Sequence, residues 1–252
     1  PVGGRSCRSM RAALALFTAL PVEWDGDDLD RSWLLAPVVG MLIGLVWFVF
    51  HQLTVGLVGP VVAGAFVVAI SAALTGSRGF RGLVGLADAM GGAPAGPGAP
   101  PMVGVGALAV AIVVVVEANL IQRVNLAPEM IVIVPTVARG VQSLLLRAGD
   151  DMVGVTPPSP RAKLGIGIIL LGLLTLPIPL QSLVRPERLN GPLDVVGYLT
   201  LGVAALIGAF VAGGITRAWT MARFGPLDPR GWHAIGLFAE VAALVVVAVR
   251  ID

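Results

Sequence analysis

Apolar positions in this chain form long unbroken runs, separated by short polar segments. Runs of that kind predict helices with apolar surroundings on every side, as in a membrane. Seven are long enough to be spanning candidates, at 34–58, 61–74, 102–120, 130–146, 164–184, 195–215 and 233–249. A shorter apolar segment at 11–22 precedes them and predicts an interfacial or re-entrant helix ended by Pro21. Gly59-Pro60 reads as a tight turn, and Pro177 with Pro179 predicts a kink or early stop in the fifth run. Pro37, Gly40 and Gly44 place small residues on one face of the first run, where a second helix can come close. Trp33 and Trp47 read as interface anchors. No period of 20–50 residues recurs, so the chain is not a solenoid. The predicted fold class is an all-α polytopic integral membrane protein. It forms a single membrane domain over 1–252, with about seven transmembrane helices and a short N-terminal interfacial helix.

Composition agrees with this pattern. Of 252 residues, 56% are hydrophobic and only 13% charged, where a soluble domain carries roughly 25% charged residues. The mean hydropathy is +0.91. A soluble core could not hide this much apolar surface, so the implied surroundings are the lipid bilayer. The lone Cys7 excludes a disulfide framework and a cysteine metal site. Pro1 in place of an initiator residue predicts a processed, truncated or wrongly assigned start, and residues 1–12 do not read as a cleaved signal.

Charge distribution supplies an orientation. With seven spans and the N-terminus inside, twelve basic residues fall on the inner side and four on the outer side, with Arg139 left inside a span. That bias supports the seven-span arrangement and predicts a cytoplasmic N-terminus. The three long polar loops, 75–101, 147–163 and 216–232, would share the cytoplasmic face. The basic residues follow topology and do not cluster, which argues against a nucleic-acid partner.

Three ionisable residues lie within spans: Glu117, Arg139 and Glu240. A charge at the bilayer centre costs about 2.5–3.5 kcal/mol on insertion scales, so each needs a partner or a wet cavity. Glu117, near the end of its span, is expected to snorkel to the interface. Arg139 follows Pro135 in mid-span and suits a carboxylate or phosphate. Glu240, about two turns into the last helix, could be that carboxylate, which leaves a structural ion pair and a substrate or metal role both open. Asp88 stands among Gly82, Gly85, Gly91 and Gly92 in a presumed loop. It reads either as a solvated partner of Arg78 or Arg81, or as a phosphate or Mg²⁺ ligand. Asp228 most simply makes an Asp-Pro turn, and His51 and His233 read as interface residues without metal-ligand spacing. No Walker loop, dinucleotide fingerprint, zincin motif or nucleophile elbow is present.

Several stretches resemble the cobalamin synthase (adenosylcobinamide-GDP ribazoletransferase) family. They include Arg11-Ala-Ala-Leu-Ala-Leu-Phe-Thr-Ala-Leu-Pro-Val22, Ala36-Pro-Val-Val-Gly-Met-Leu-Ile-Gly-Leu45 and Val105-Gly-Ala-Leu-Ala109. Leu74-Thr-Gly76 with Ala87-Asp-Ala-Met-Gly-Gly92 is similar to that family's histidine- and aspartate-rich motif. Pro135-Thr-Val-Ala-Arg139 resembles its Pro-x-x-Gly-Arg, and Arg223-Phe-Gly225 with Glu240 its last motif. The resemblance implies a Mg²⁺-dependent transfer. A hydroxyl of α-ribazole, or of its 5′-phosphate, attacks the phosphate of adenosylcobinamide-GDP and GMP leaves. It further implies Asp88 as metal ligand, with Arg139 and Glu240 beside it as catalytic residues and a corrinoid nucleotide as substrate.

The chain departs from the family motifs at several points. Aligned from Gly91-Gly92, Gly79 stands for the family's histidine, and Arg81 and Gly85 for two of its three aspartates. Pro100-Pro-Met-Val103 replaces an Asp-Ser-Arg, Pro157-Pro-Ser-Pro-Arg161 an Arg-Pro-Glu-Gly loop, and Asp228-Pro-Arg230 a Thr-Gly-Asp. Two other classes therefore fit the same residues. One is a non-catalytic paralogue that binds a corrinoid or nucleotide, or scaffolds a partner, with Arg78 and Arg81 suited to a bare phosphate. The other is a small-molecule transporter with Arg139 and Glu240 lining its path, although no inverted repeat with matched broken helices accompanies it.

Overall fold

The structure, a computed structural model, describes residues 3–22, 29–91, 105–124, 127–150, 155–184 and 192–251. Part of the acidic stretch, 23–28, the Pro/Gly-rich segment 92–104, and Arg185 and Arg188 lie outside the described residues, as do the side chains of Arg5, Cys7 and Arg8. All described elements are helices: α1 Gly3–Phe17, α2 Leu29–Leu34, α3 Ala36–Val58, α4 Pro60–Thr75, α5 Arg78–Met90, α6 Val105–Arg123, a 3-10 turn Pro128–Val132, α7 Ile133–Leu144, α8 Pro160–Leu173, α9 Pro177–Val184, α10 Pro192–Phe224 and α11 Pro229–Ile251.

The ends of these helices follow local chemistry. Gly59 (φ 80°) turns α3 into α4, with Pro60 at the first helical position, where its missing N–H costs nothing. Ser159 caps α8, its hydroxyl accepting the Ala162 amide at 3.2 Å. Asp228 does the same for α11, accepting the Gly231 amide at 2.8 Å with Pro229 next to it. The expected Asp-Pro turn is thus a helix cap. The fifth run breaks just before Pro177, and α1 ends at Phe17, four residues ahead of the expected stop at Pro21.

Five helical segments are long and apolar enough to cross a membrane: Ala36–Val58, Val105–Arg123, Pro160–Gln181, Val195–Phe224 and Pro229–Val249. The pair α4 and α5 makes a sixth if counted together, although it bends by 89°. Among the described residues the count is therefore five or six, where seven were expected. The difference lies at 61–74, which qualifies only together with α5, and at 130–146, which becomes the 3-10 turn followed by the 12-residue α7. At 1.5 Å per residue α7 covers about 18 Å, short of a bilayer core of about 30 Å. Apart from Leu144, α7 is buried along its whole length, so other helices of the protein surround it where lipid would otherwise lie.

Close backbone approach makes this burial possible. A Cβ at Gly44 would lie 2.5 Å from the Val132 carbonyl oxygen, and one at Gly40 would overlap the Pro135 carbonyl. The small-residue face of α3 is therefore a seam against the 3-10 turn and α7, as its spacing predicts. Trp33 and Trp47 are not interface anchors. Both are fully buried, and Trp33 forms an aromatic cluster with Phe17 and Trp232 at centroid distances of 6.1 and 6.0 Å. Its Nε1 donates to the Thr156 carbonyl at 2.9 Å. The outer surface of the bundle carries Leu42, Phe66, Leu108, Ile112, Ile168 and Ile207, an apolar exterior that suits lipid.

Candidate functional site

The stretch 78–90, expected as a loop, is helix α5, and it turns sharply off the end of α4. Gly76 (φ 63°) and Ser77 (φ 56°) both adopt the left-handed conformation at this elbow, and no side chain caps the N-terminus of α5. Beyond the elbow α5 lies along the first half of α11. A Cβ on Gly79 would meet the Leu237 Cβ at 3.3 Å, and one on Gly82 would meet the Arg230 carbonyl oxygen at 2.6 Å. A Cβ on Gly85 would meet the Arg230 Cδ at 2.9 Å. Glycines three residues apart put backbone against helix, and this contact holds α5 in place.

Arg139 projects from α7 toward α11. Its Nη2 pairs with Glu240 Oε2 at 3.2 Å, its Nη1 donates to Gln142 Oε1 at 3.3 Å, and its Nε has no partner. Gln142 is fixed in turn, since its Nε2 donates to the Trp232 carbonyl at 2.9 Å while Trp232 Nε1 donates to the Gln142 carbonyl at 3.3 Å. Gly236 makes the space for this network. A Cβ there would lie 2.5 Å from Gln142 Oε1 and 2.9 Å from Arg139 Nη1. Of the two readings left open by the sequence, the ion pair between Arg139 and Glu240 is formed.

A crevice of about 210 Å³, counting its open mouth, runs between the α4–α5 elbow, α1, α7 and α11. Thr75, Arg78, Gly79, Arg139, Gln142 and His233 give it a polar wall, closed on one side by Leu16 and Phe17. Arg78 Nη1 donates to the carbonyls of Ala15 at 2.8 Å and Leu16 at 2.7 Å, fastening the end of α1 to the elbow. Arg81 Nη2 donates to the Gly76 carbonyl at 2.6 Å. Arg78 and Arg139 thus line one crevice, and Arg81 is anchored at the same elbow.

The other sequence candidates fall elsewhere. Asp88 is ten residues beyond Arg78, about 15 Å along the helix axis. It is buried, and its Oδ1 accepts the Gly106 amide at 3.1 Å, which satisfies a free donor at the start of α6. Glu117 does not snorkel outward. It is buried with Oε1 unpartnered, and its charge interacts with those of Glu240 and Arg139. His51 is fully buried, with neither ring nitrogen hydrogen-bonded, and His233 lines the crevice, so neither is an interface residue. Among the described residues no three His, Cys, Asp or Glu side chains converge as a metal site.

The sequence reading missed Gln142 and His233 as members of the site. Their signal was helical spacing: Gln142 is three residues from Arg139, and His233, Gly236 and Glu240 share one face of α11.

A family model described as cobalamin-5-phosphate synthase matches residues 9–249. The adenosylcobinamide-GDP ribazoletransferase of Ectopseudomonas mendocina (strain ymp) is 30% identical over 261 residues, covering 96% of this chain and 98% of that protein. Proteins of the same name from Clostridium botulinum, strains Eklund 17B / Type B and Alaska E43 / Type E3, are each 29% identical over 87 residues. Those matches cover 33% of this chain, which spans only about a third (34%) of each Clostridium protein. No solved structure matches the chain. The end-to-end match of the family model places this chain in the cobalamin-5-phosphate synthase family.

Proposed function

We propose that the protein is an adenosylcobinamide-GDP ribazoletransferase of the inner membrane. The observation that carries this reading is the likeness to the Ectopseudomonas mendocina protein of that name over nearly the whole of both chains. In the reaction, the hydroxyl oxygen of α-ribazole, or of its 5′-phosphate, bonds to the corrinoid-side phosphorus of adenosylcobinamide-GDP. The P–O–P bridge breaks, GMP leaves with the bridging oxygen, and the hydroxyl proton is released. Such a transfer needs positive charge fixed where the phosphate oxygens gain charge. Arg139 supplies it, with Glu240 and Gln142 holding the guanidinium in one orientation. Nothing in the family match favours a transporter or a non-catalytic paralogue.

The described residues do not fit a magnesium ion, whose sites use oxygen ligands at near-octahedral geometry. Asp88 is engaged by the α6 amide, Glu240 by Arg139, and arginines occupy the elbow. Asp88 instead fixes α5 to α6 through the Gly106 amide.

The site opens toward the cytoplasm in this reading. Side-chain contacts hold the basic loops against the neighbouring helices. Arg217 pairs with both carboxylate oxygens of Asp150 at 2.9–3.1 Å, Lys163 Nζ donates to the Leu146 carbonyl at 2.6 Å, and Arg230 lies against α5. Purified protein supplied with adenosylcobinamide-GDP and α-ribazole is expected to release GMP. Absence of GMP from folded protein, with Mg²⁺ present or removed, overturns the reading.

A further inference from the structure

We propose that the crevice at the α4–α5 elbow binds a phosphate or diphosphate group directly through Arg78, Arg139 and the N-terminus of α5, with no divalent cation between protein and anion. Three independent features point to an anion. The first is the cluster of charge: Arg78 and Arg139 line the crevice, Arg81 stands beside it, and the one carboxylate bonded to any of them is Glu240 among the described pairs. Like charges this close in a partly dehydrated place repel, and an anion between them relieves the repulsion.

The second feature is the backbone. A helix N-terminus carries partial positive charge and free N–H donors. Here α5, 13 residues long, starts at the crevice wall after two left-handed residues, and no side chain caps it. The third is an unsatisfied donor. Arg139 is only 8% exposed, yet its Nε has no partner. A buried donor of this kind normally finds an acceptor.

Size restricts the ligand. The crevice reaches about 210 Å³ only with its open mouth counted, so an anion would sit at that mouth against the Arg78 side, and a corrin ring would have to remain outside it. The inference rests on the transferase reading only for the carrier of the phosphate, which there is the diphosphate of the corrinoid nucleotide. A phospholipid head group presents the same chemistry.

The test uses the full chain in discs of phosphatidylcholine, titrated with inorganic pyrophosphate in EDTA and again with Mg²⁺. Saturable binding is expected in EDTA. Arg78→Gln is expected to weaken it roughly tenfold or more, the loss of one charge-assisted hydrogen bond. Binding that appears only with Mg²⁺, or that is unchanged in folded Arg78→Gln, overturns the proposal. If that variant does not fold, phenylglyoxal labelling of the unmodified protein decides. Pyrophosphate in EDTA should protect Arg78 and leave the exposed Arg223 reactive, and equal labelling of Arg78 with and without pyrophosphate overturns the proposal. Repeating the titration in phosphatidylglycerol discs identifies the source. Competition by the anionic lipid assigns the site to a lipid phosphate, and undiminished binding assigns it to a soluble one, both without metal. GMP release is scored separately, so binding without GMP removes the transferase reading and keeps the anion site.

Discussion

Arg139 and Glu240 meet inside the bundle, where each charge depends on the other. Removing one partner of a buried pair leaves an uncompensated charge, at a cost of about 3–5 kcal/mol. Glu240→Ala is therefore expected to lower the unfolding free energy in detergent by an amount of that order, read from the shift of its denaturation curve. The double variant Arg139→Met with Glu240→Met should recover most of the loss, because two apolar side chains of similar volume need no partner. Recovery of stability without recovery of GMP release would separate the structural from the chemical share of the pair. Gly236 belongs to the same network. Gly236→Ala puts a methyl 2.5 Å from Gln142 Oε1, and overpacking of this kind costs about 1–3 kcal/mol.

At the scale of elements, α5 is fixed from both sides, by α11 along its glycines and by α6 through Asp88. Asp88→Ala is expected to cost about 0.5–2 kcal/mol, the range of a lost helix cap. Melting temperature checks this, and pyrophosphate affinity should stay unchanged because the crevice is at the other end of the helix. The helices with strong local signals were legible in the sequence. The apolar runs, the break before Pro177 and the Gly40/Gly44 seam all act within a few residues of their cause. The helix α5 was not legible, since glycines at 79, 82 and 85 disfavour a helix locally and only packing against α11 makes one. Glu117 was misplaced for a related reason. In a helix that is apolar on every side, no periodicity tells which face turns inward. The ion pair was legible only as two mid-span charges requiring partners, because distance across the bundle is not written in local spacing.

At the scale of the molecule, the buried α7 is enclosed by helices whose outer faces are apolar, so the polar chemistry lies at the protein's centre and its lipid contact at the periphery. The opening of the crevice sets which side of the membrane is served. A reporter inserted after the exposed Gly149 is expected to read out on the cytoplasmic side. Signal from the opposite side would overturn the proposed orientation while leaving the fold intact.

The glycine face of α5 also bears on how readily the chain could be returned to its family's motif. At Gly79 and Gly85, where the resemblance expects a histidine and an aspartate, a side chain would press on Leu237 and Arg230. A larger side chain at 79 would need Leu237 to shift, and one at 85 would come against the Arg230 side chain. A side chain at either position therefore depends on how far Leu237 and Arg230 on α11 can give, so changes there are expected to be tolerated better when α5 and α11 change together.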